Sequence, residues 1–259
     1  MRQVLAISSL VCILALACEE TQEGCLDILA SNYGFEAVNA CDSCCTYPTF
    51  SIRMNLINDT LAYNLNDSIL LISGDTLLLT RFQLVYSDFS FSNADTTYRI
   101  RDSLDGFNAG LLDDFIYIQS ETSITGGRTR LSDTITGVRF RNGFDRERIN
   151  ALKPFDNIDQ DSRLDTALDC MYVAETEVYR SAIFSLRFVP DTTVVELPVI
   201  YDEAYLDYEL DRFVPAGTGW TLDFELDVSR AFEGLNAGMP SEVMSETIAQ
   251  NIPAALTVR

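Results

Sequence analysis

The side chains open to chemistry in this sequence are cysteines and carboxylates, because it contains no histidine. That absence removes the commonest metal ligand, the Ser-His-Asp and Cys-His catalytic arrangements, and any unperturbed titration near neutral pH. Four cysteines, Cys25, Cys41, Cys44 and Cys45, cluster in GCLDILASNYGFEAVNACDSCC. In an oxidising compartment such a block reads as two disulfides stapling a segment too small to hold a core. Cys44 and Cys45 are adjacent, and a vicinal bridge strains the peptide between them, so Cys25 and Cys41 each take one of the two. The sequence leaves the order open. A zinc knuckle is the competing reading, which the lack of histidine disfavours. Cys170, in ALDCMYVA, is expected as a buried free thiol.

The carboxylates offer hard oxygen ligands. In FDNIDQDSRLD, Asn157, Asp159 and Asp161 have calcium-loop spacing, yet no glycine follows at the bend and the twelfth position is Leu168. A full EF-hand is excluded. A looser calcium site using Asp156, Asp159, Asp161 and Asp165 competes with a simple solvated loop. Asp113-Asp114 stand together, and Asp207, Glu209 and Asp211 share one strand face. These read as outward sheet residues, or as a carboxylate pair for glycoside hydrolysis, for which separation in space is the criterion. The net charge of −21 argues against nucleic acid and anionic headgroups as partners attracted at long range.

The elements that carry these groups begin with a leader. Arg2 precedes an uncharged run from Gln3 to Ala17, too short for a comfortable membrane span and ending in small residues, as in a secretory signal. Ala15-Leu16-Ala17-Cys18 resembles the lipobox of bacterial lipoproteins, with Ala15 where leucine is usual. The resemblance implies cleavage before Cys18, acylation of that residue, and permanent membrane anchoring. Glu19 and Glu20 resemble the acidic signal that sends some lipoproteins to the outer face of the outer membrane. The expected address is the outer membrane, exposed on the surface or facing the periplasm.

The block from Gly24 to Tyr47 resembles a repeat of bacterial surface proteins with the consensus G-C-T-D-P-x-A-x-N-Y-x-P-x-A-x-x-D-D-G-S-C-x-Y. Gly24, Cys25, Asp27, Ala30, Asn32, Tyr33, Ala37, Ser43 and Cys44 match it. Such modules look like calcium-supported stalks, which makes Asp27, Asn32 and Asp42 candidate ligands here. The paired acidic positions of the consensus are Ala40 and Cys41, so a second disulfide replaces the ion in the favoured reading, a structural spacer.

From Thr49 onward the hydrophobic period is two. Phe50, Ile52, Met54 and Leu56 share one face; Leu77 and Leu79, then Phe82, Leu84 and Tyr86, share another, with a phase change at Thr80-Arg81 that predicts a bulge. Further strands are expected over 115–119, 134–141, 182–188, 194–200 and 220–228, with Trp220 facing the core. Turns are expected at Ser73-Gly74-Asp75, Gly126-Gly127, Asn142-Gly143 and Ala216-Gly217. The fold class is all-β: an antiparallel β-sandwich with one or two short helices, at 145–151 and at 241–251 with Ser241 as cap, preceded by a small disulfide-stapled module. The expected division is residues 1–17 leader, 18–23 anchor and linker, 24–47 module and 48–259 sandwich.

The order of these segments resembles the MbnP-like family, named for a methanobactin-associated copper-binding protein, over nearly all of 49–259. GDTLLLTRFQLVYSDFSF resembles its Gly-Asp, strand and Tyr-x-Ser-Asn-aromatic run, and ITGVRFRNGFD its Gly-x-x-Phe-x-x-Gly-x-Asp. TLDFELDVSRAFEG and ETIAQNIPAAL resemble its closing strand, short helix and terminal Ala-x-Asn-Ile. The resemblance implies a secreted β-rich domain whose founding members bind copper beside a haem partner. The copper chemistry does not carry over: where the family has Met-Tyr-Trp-x-Trp, this chain has Met171, Tyr172, Val173, Ala174 and Glu175. No cofactor is certain, calcium is the candidate, and copper is disfavoured.

Asp followed by Ser or Thr, and then an apolar residue or Thr, recurs with acceptors Thr60, Ser68, Thr76, Thr96, Ser103, Thr134, Thr166 and Thr192. The pattern resembles the O-glycosylation motif of exported proteins in some bacteria. Turn chemistry explains it equally well, since Asp caps turns through its own side chain and Thr then opens a strand. The sequence thus points to a lipid-anchored envelope protein in a non-catalytic binding or surface-structural role, with an envelope protein or glycan as partner. The alternatives are a calcium-supported adhesion or glycan-binding module and a carboxylate-dependent hydrolase.

Overall fold

The computed structural model describes residues 22–41, 43–100, 115–119, 123–151, 153, 155, 163–200 and 205–259, with the backbone alone at 99, 148 and 163–166. The expected sites at Cys18, Asp42, Ser103, Asp113, Asp114, Asp156, Asp159 and Asp161 lie outside the described residues. The cysteine block holds a parallel pair, β1 (Glu23–Gly24) and β2 (Asn39–Ala40). Two sheets follow. The five-stranded sheet comprises β3 (Thr49–Asn58), β4 (Leu61–Ala62), β9 (Ser123–Arg128), β16 (Trp220–Asp227) and β17 (Leu256–Val258). The eight-stranded sheet comprises β5 (Ser68–Leu70), β6 (Thr76–Ser92), β7 (Thr97–Arg99), β8 (Phe115–Gln119), β10 (Asp133–Asn142), β13 (Ala182–Val189), β14 (Val195–Val199) and β15 (Tyr205–Val214). A separate hairpin joins β11 (Tyr172–Val173) to β12 (Val178–Tyr179).

The inward faces of the two sheets meet in an aromatic core. Phe50 of β3 has ring-centre distances of 4.9 Å to Trp220 of β16 and 5.1 Å to Phe91 of β6. Farther along, Phe224 of β16 meets Phe140 of β10 at 5.1 Å and Tyr86 of β6 at 5.5 Å. Such edge and tilted contacts let the rings interdigitate between sheets. The sandwich departs from pure antiparallel pairing at its centre, where β3 and β16 run parallel, with Trp220 opposite Phe50 and Asp227 opposite Ile57. A parallel pair needs a long crossover, and the whole of the eight-stranded sheet intervenes between these two strands.

β6 is the long strand on which the larger sheet is built. Along one edge its first half pairs with β13 and its second with β10, while β5, β8 and β7 take the other edge in turn. Ser185 lies opposite Arg81 and Leu186 opposite Leu79, which leaves Thr80 as the extra residue of a bulge at the expected phase change. Its hydroxyl donates to the Ser185 carbonyl at 2.9 Å. A second bulge at Asp88 restores the phase, so that Phe89 and Phe91 also face the core. Gly126-Gly127, expected as a turn, sits inside β9 as a third bulge opposite Phe50 and Ser51. The reason is steric, because a Cβ on Gly126 would lie 2.6 Å from the Ile116 Cδ1 atom and 3.1 Å from Phe50 Cδ1.

Helix is more abundant than the one or two short segments expected. Among the described residues there are four: α1 (Arg146–Asn150), α2 (Arg163–Met171), α3 (Val228–Ala231) and α4 (Ser241–Ala255). α4 begins at Ser241 with Pro240 in the cap position, so Ser241 is not the cap. α2 replaces part of the expected acidic loop and places Asp165 and Thr166 in a helical backbone. Its Ala167, Leu168 and Met171 pack with Ile149 of α1 and Tyr179 of β12 over Val85, Phe115, Tyr117 and Ile183. This second core covers part of the outer face of the larger sheet, which is why Phe115 to Ile118 are apolar on both sides. Cys170, at the margin of this layer, is half-buried rather than buried.

Candidate functional site

The cysteine block is tied by two disulfides and by side-chain hydrogen bonds from Asn32 and Asp27. The disulfides are Cys25–Cys45 and Cys41–Cys44, with Cα atoms 5.0 and 5.7 Å apart, the exclusively non-vicinal pairing expected. Asn32 accepts from the Thr46 amide at 2.8 Å and donates to the Cys44 carbonyl at 2.7 Å. Asp27 accepts from the Leu29 amide at 3.0 Å and from the Tyr47 hydroxyl at 2.8 Å, and the Arg130 guanidinium lies 2.8 Å from it. The candidate calcium ligands Asp27 and Asn32 are thus engaged in tying the module together and to the sandwich. The turn at Ala216-Gly217 completes the junction: a side chain on Gly217, whose φ is +67°, would meet the Ala30 carbonyl at 2.8 Å.

Burial raises the pKa of Asp27, but the Leu29 amide, the Tyr47 hydroxyl and the Arg130 charge outweigh it and leave the carboxyl below its ordinary value. A carboxyl lowered on folding adds stability at pH above its unfolded pKa, about 3.9, and that contribution is lost as pH falls through the lowered folded value. The protection factor of the Leu29 amide, its exchange rate relative to the unstructured rate at the same pH, is therefore expected to fall on acidification below about pH 4 in the native chain and to stay flat in Asp27→Asn. Identical profiles would remove Asp27 as the junction's anchor.

Among the described residues, a concave site lies on the outer face of the β6–β10–β15 sheet, beyond the part that α1 and α2 cover. A groove of about 740 Å³ runs over Asp88, Ser90 and Ser92 of β6, Thr136, Gly137 and Arg139 of β10, and Tyr205, Asp207 and Glu209 of β15. Tyr205 organises one end. Its hydroxyl donates to Asp88 and accepts from Arg141 Nη2 at 2.8 Å. The Arg139 and Arg141 guanidinium carbons lie 4.3 and 4.7 Å from its ring centre, within cation-π range. Burial, and then the hydrogen bond and charge of Asp88, raise the Tyr205 pKa, so the phenol stays protonated as a donor. Arg139 also faces Asp207 at 3.8 Å, and Arg141 faces Asp145 at 3.8 Å.

Asp88 holds φ at +54°, a region costly for most side chains and better tolerated by Asp, and it sits in the second bulge of β6. The bulge turns its carboxylate to the groove while Phe89 enters the core. Gly137 forms the floor, where a Cβ would stand 2.7 Å from Ser92 Oγ. The Tyr208 hydroxyl is buried with no hydrogen-bond partner among the described residues, and burial pushes its pKa up to about 12. The arrangement offers fixed donors and acceptors of both charges to a polar ligand.

Of the sequence-predicted residues, Asp207 and Glu209 line this groove, and Asp211 is exposed farther along β15. Asp88, Arg139, Arg141 and Tyr205 were not anticipated. The available signal was Arg139 and Arg141 two apart on one outward strand face, an unusual like-charge pair in need of a partner. Trp220 packs in the core and donates to Thr129 Oγ1 at 3.1 Å, as expected of a structural tryptophan. Met171 is fully buried in the second core. Among the acceptor positions Thr60, Ser68, Thr96, Thr134 and Thr192 are exposed and Thr76 is half-buried. Two of the preceding aspartates do cap turns: Asp67 accepts from the Asn64 amide and Asp191 from the Thr193 amide.

No family model matches the sequence, and no curated protein matches it. Among solved structures, MbnP from Methylosinus trichosporium is similar with a TM-score of 0.50, over 82% of this chain and 98% of that one, at 12% identity. A likeness at that identity is one of fold.

Proposed function

We propose that this chain, an MbnP-like β-sandwich carried on a disulfide-stapled spacer, is a lipid-anchored envelope protein with a non-catalytic binding role and no copper site. The observation that carries the reading is the fate of the soft ligands. Histidine is absent from the sequence, Met171 is enclosed by apolar side chains of the second core, and Val173 and Glu175 stand where the resembled family has tryptophan. Cys170 is then the one thiol outside the disulfides among the described residues, and a single thiolate without imidazole is a weak copper site. Titration with Cu(I) against a strong chelator is expected to leave the protein metal-free. A stoichiometric complex that disappears in Cys170→Ala or Met171→Leu would overturn the reading. Calcium, favoured by the acidic stretch 156–165, is expected to bind weakly, with dissociation constants of about 10⁻⁴–10⁻³ M.

The groove supports a more specific second reading, recognition of a neutral glycan. Sugar hydroxyls donate and accept at once, and the lining supplies carboxylates at Asp207 and Glu209, a guanidinium at Arg139 and hydroxyls at Ser92, Thr97 and Thr136. Its anionic groups outnumber its cationic ones, which disfavours acidic ligands. Gly137→Val fills the floor and Arg139→Ala removes the central donor. In a panel of neutral oligosaccharides each change is expected to weaken binding at least tenfold, roughly the value of one charged hydrogen bond. Binding that survives both changes would place the ligand elsewhere.

A further inference from the structure

We propose that the exposed apolar edge of the cysteine module is seated in the lipid surface that holds the chain, an inference that rests on the anchoring at Cys18 proposed above. Phe35 is 80% exposed and Val38 72%, with Tyr33 at 45% and Leu26 at 41% beside them. Backbone hydrogen bonds draw the segments that carry them together, and a turn closed by the Ala37 amide on the Gly34 carbonyl at 3.1 Å separates Phe35 from Val38. The Gly34 amide donates to the Cys25 carbonyl at 2.8 Å, which brings the segment carrying Tyr33 and Phe35 alongside the one carrying Leu26. The Val38 amide donates to the Gln22 carbonyl at 2.9 Å, which brings Val38 to the start of the described chain. The sandwich occupies a different side of the module, through Asp27 on Arg130 at 2.8 Å and Gly217 on Ala30.

The reach of the chain selects a lipid surface as the occupant. Gln22 follows Cys18 by four residues, about 14 Å at full extension, so an acylated Cys18 keeps Val38 and Phe35 close to the bilayer boundary. An amphipathic surface element buries its apolar side about 5–10 Å into that boundary, a depth that side chains of this size can span. Phe35 and Val38 lie within the loop that Cys25–Cys45 closes. Glu23 and Glu36 flank the edge, which suits a zwitterionic surface better than an anionic one.

The test uses the whole mature chain from Cys18, with Cys170→Ser, coupled through Cys18 to a maleimide-bearing lipid in phosphatidylcholine vesicles. Phe35→Trp adds a reporter, and the chain without it reports Trp220 alone, which is 6% exposed inside the sandwich. Lipids brominated on their acyl chains are expected to quench the introduced indole and leave Trp220 unchanged, with the added emission shifted to the blue. Unquenched, water-like emission from the introduced indole overturns the seating. A blue shift without bromine quenching that grows with protein density also overturns it, by showing that a second copy covers the edge. Native anchoring is judged separately, since Cys18→Ser should move the protein expressed in its bacterial envelope from detergent to aqueous phase. An unmoved protein overturns the anchor and the native seating with it, whatever the coupled vesicles report.

Discussion

Phe50→Ala is expected to destabilise the sandwich by about 3–5 kcal/mol, read as a lower urea midpoint with an unchanged slope. Phe50 is fully buried on β3, and its ring meets Phe89, Phe91 and Trp220 from both sheets. Truncation therefore removes the transfer energy of the ring and leaves a cavity that the neighbours cannot close. Collapse is blocked from one more side, because Gly126 packs against the same ring and has no side chain to swing in. Phe213→Ala on β15 is the natural control, since Phe213 is 66% exposed and its loss should stay within about 0.5 kcal/mol. A Phe50→Ala cost below about 1 kcal/mol would mean that the two sheets do not meet through this cluster.

Phe50 also marks the part of the fold that was legible in the sequence. Wherever one sheet face is buried and the other wet, period two shows directly, as in β3, whose inward residues were identified one by one. Even the bulge at Thr80 was visible, because an extra residue shifts the phase of the hydrophobic pattern. The reading weakened where a strand is covered on both sides. Val85, Phe115, Tyr117 and Ile183 face outward under α1 and α2, and a strand buried twice has no alternation to reveal its orientation. α2 itself stayed hidden because its acidic N-terminal sequence suggested a calcium loop. Parallel pairing of β3 with β16 was equally silent, since local patterns carry no information on which distant strand is adjacent.

The candidate site was harder for a related reason. Its members Asp88, Arg139 and Tyr205 come from three strands far apart in the chain and meet through the register of β10 with its neighbours. Arg141 lies opposite Tyr205, and the bulge in β6 supplies Asp88. None of these residues forms a local motif. The cysteine module is the contrasting case, because chemistry within a short segment restricts its partners so strongly that the non-vicinal pairing followed from adjacency of Cys44 and Cys45.

That module should depend on its staples far more than the sandwich depends on the module. Between residues 22 and 47 the buried apolar side chains among the described residues are Cys25 and Ala30, too little burial to offset the entropy of ordering the segment. Replacing Cys25 and Cys45 by serine opens a loop spanning 20 residues and is expected to cost the module about 3 kcal/mol. Replacing Cys41 and Cys44, three apart, should cost about 2 kcal/mol, because a short loop has less entropy to regain. Chymotrypsin is then expected to cut after Tyr33 and Phe35 fastest in the Cys25/Cys45 double variant, while the thermal transition of the sandwich hardly moves. The two measurements answer different questions. A module that stays resistant without Cys25–Cys45 would be held by Asp27 on Arg130 and by the Asn32 hydrogen bonds instead of by that disulfide. A sandwich that melted with it would show that Asp27, Tyr47 and Arg130 form part of one cooperative core, in which case the segment is no spacer at all.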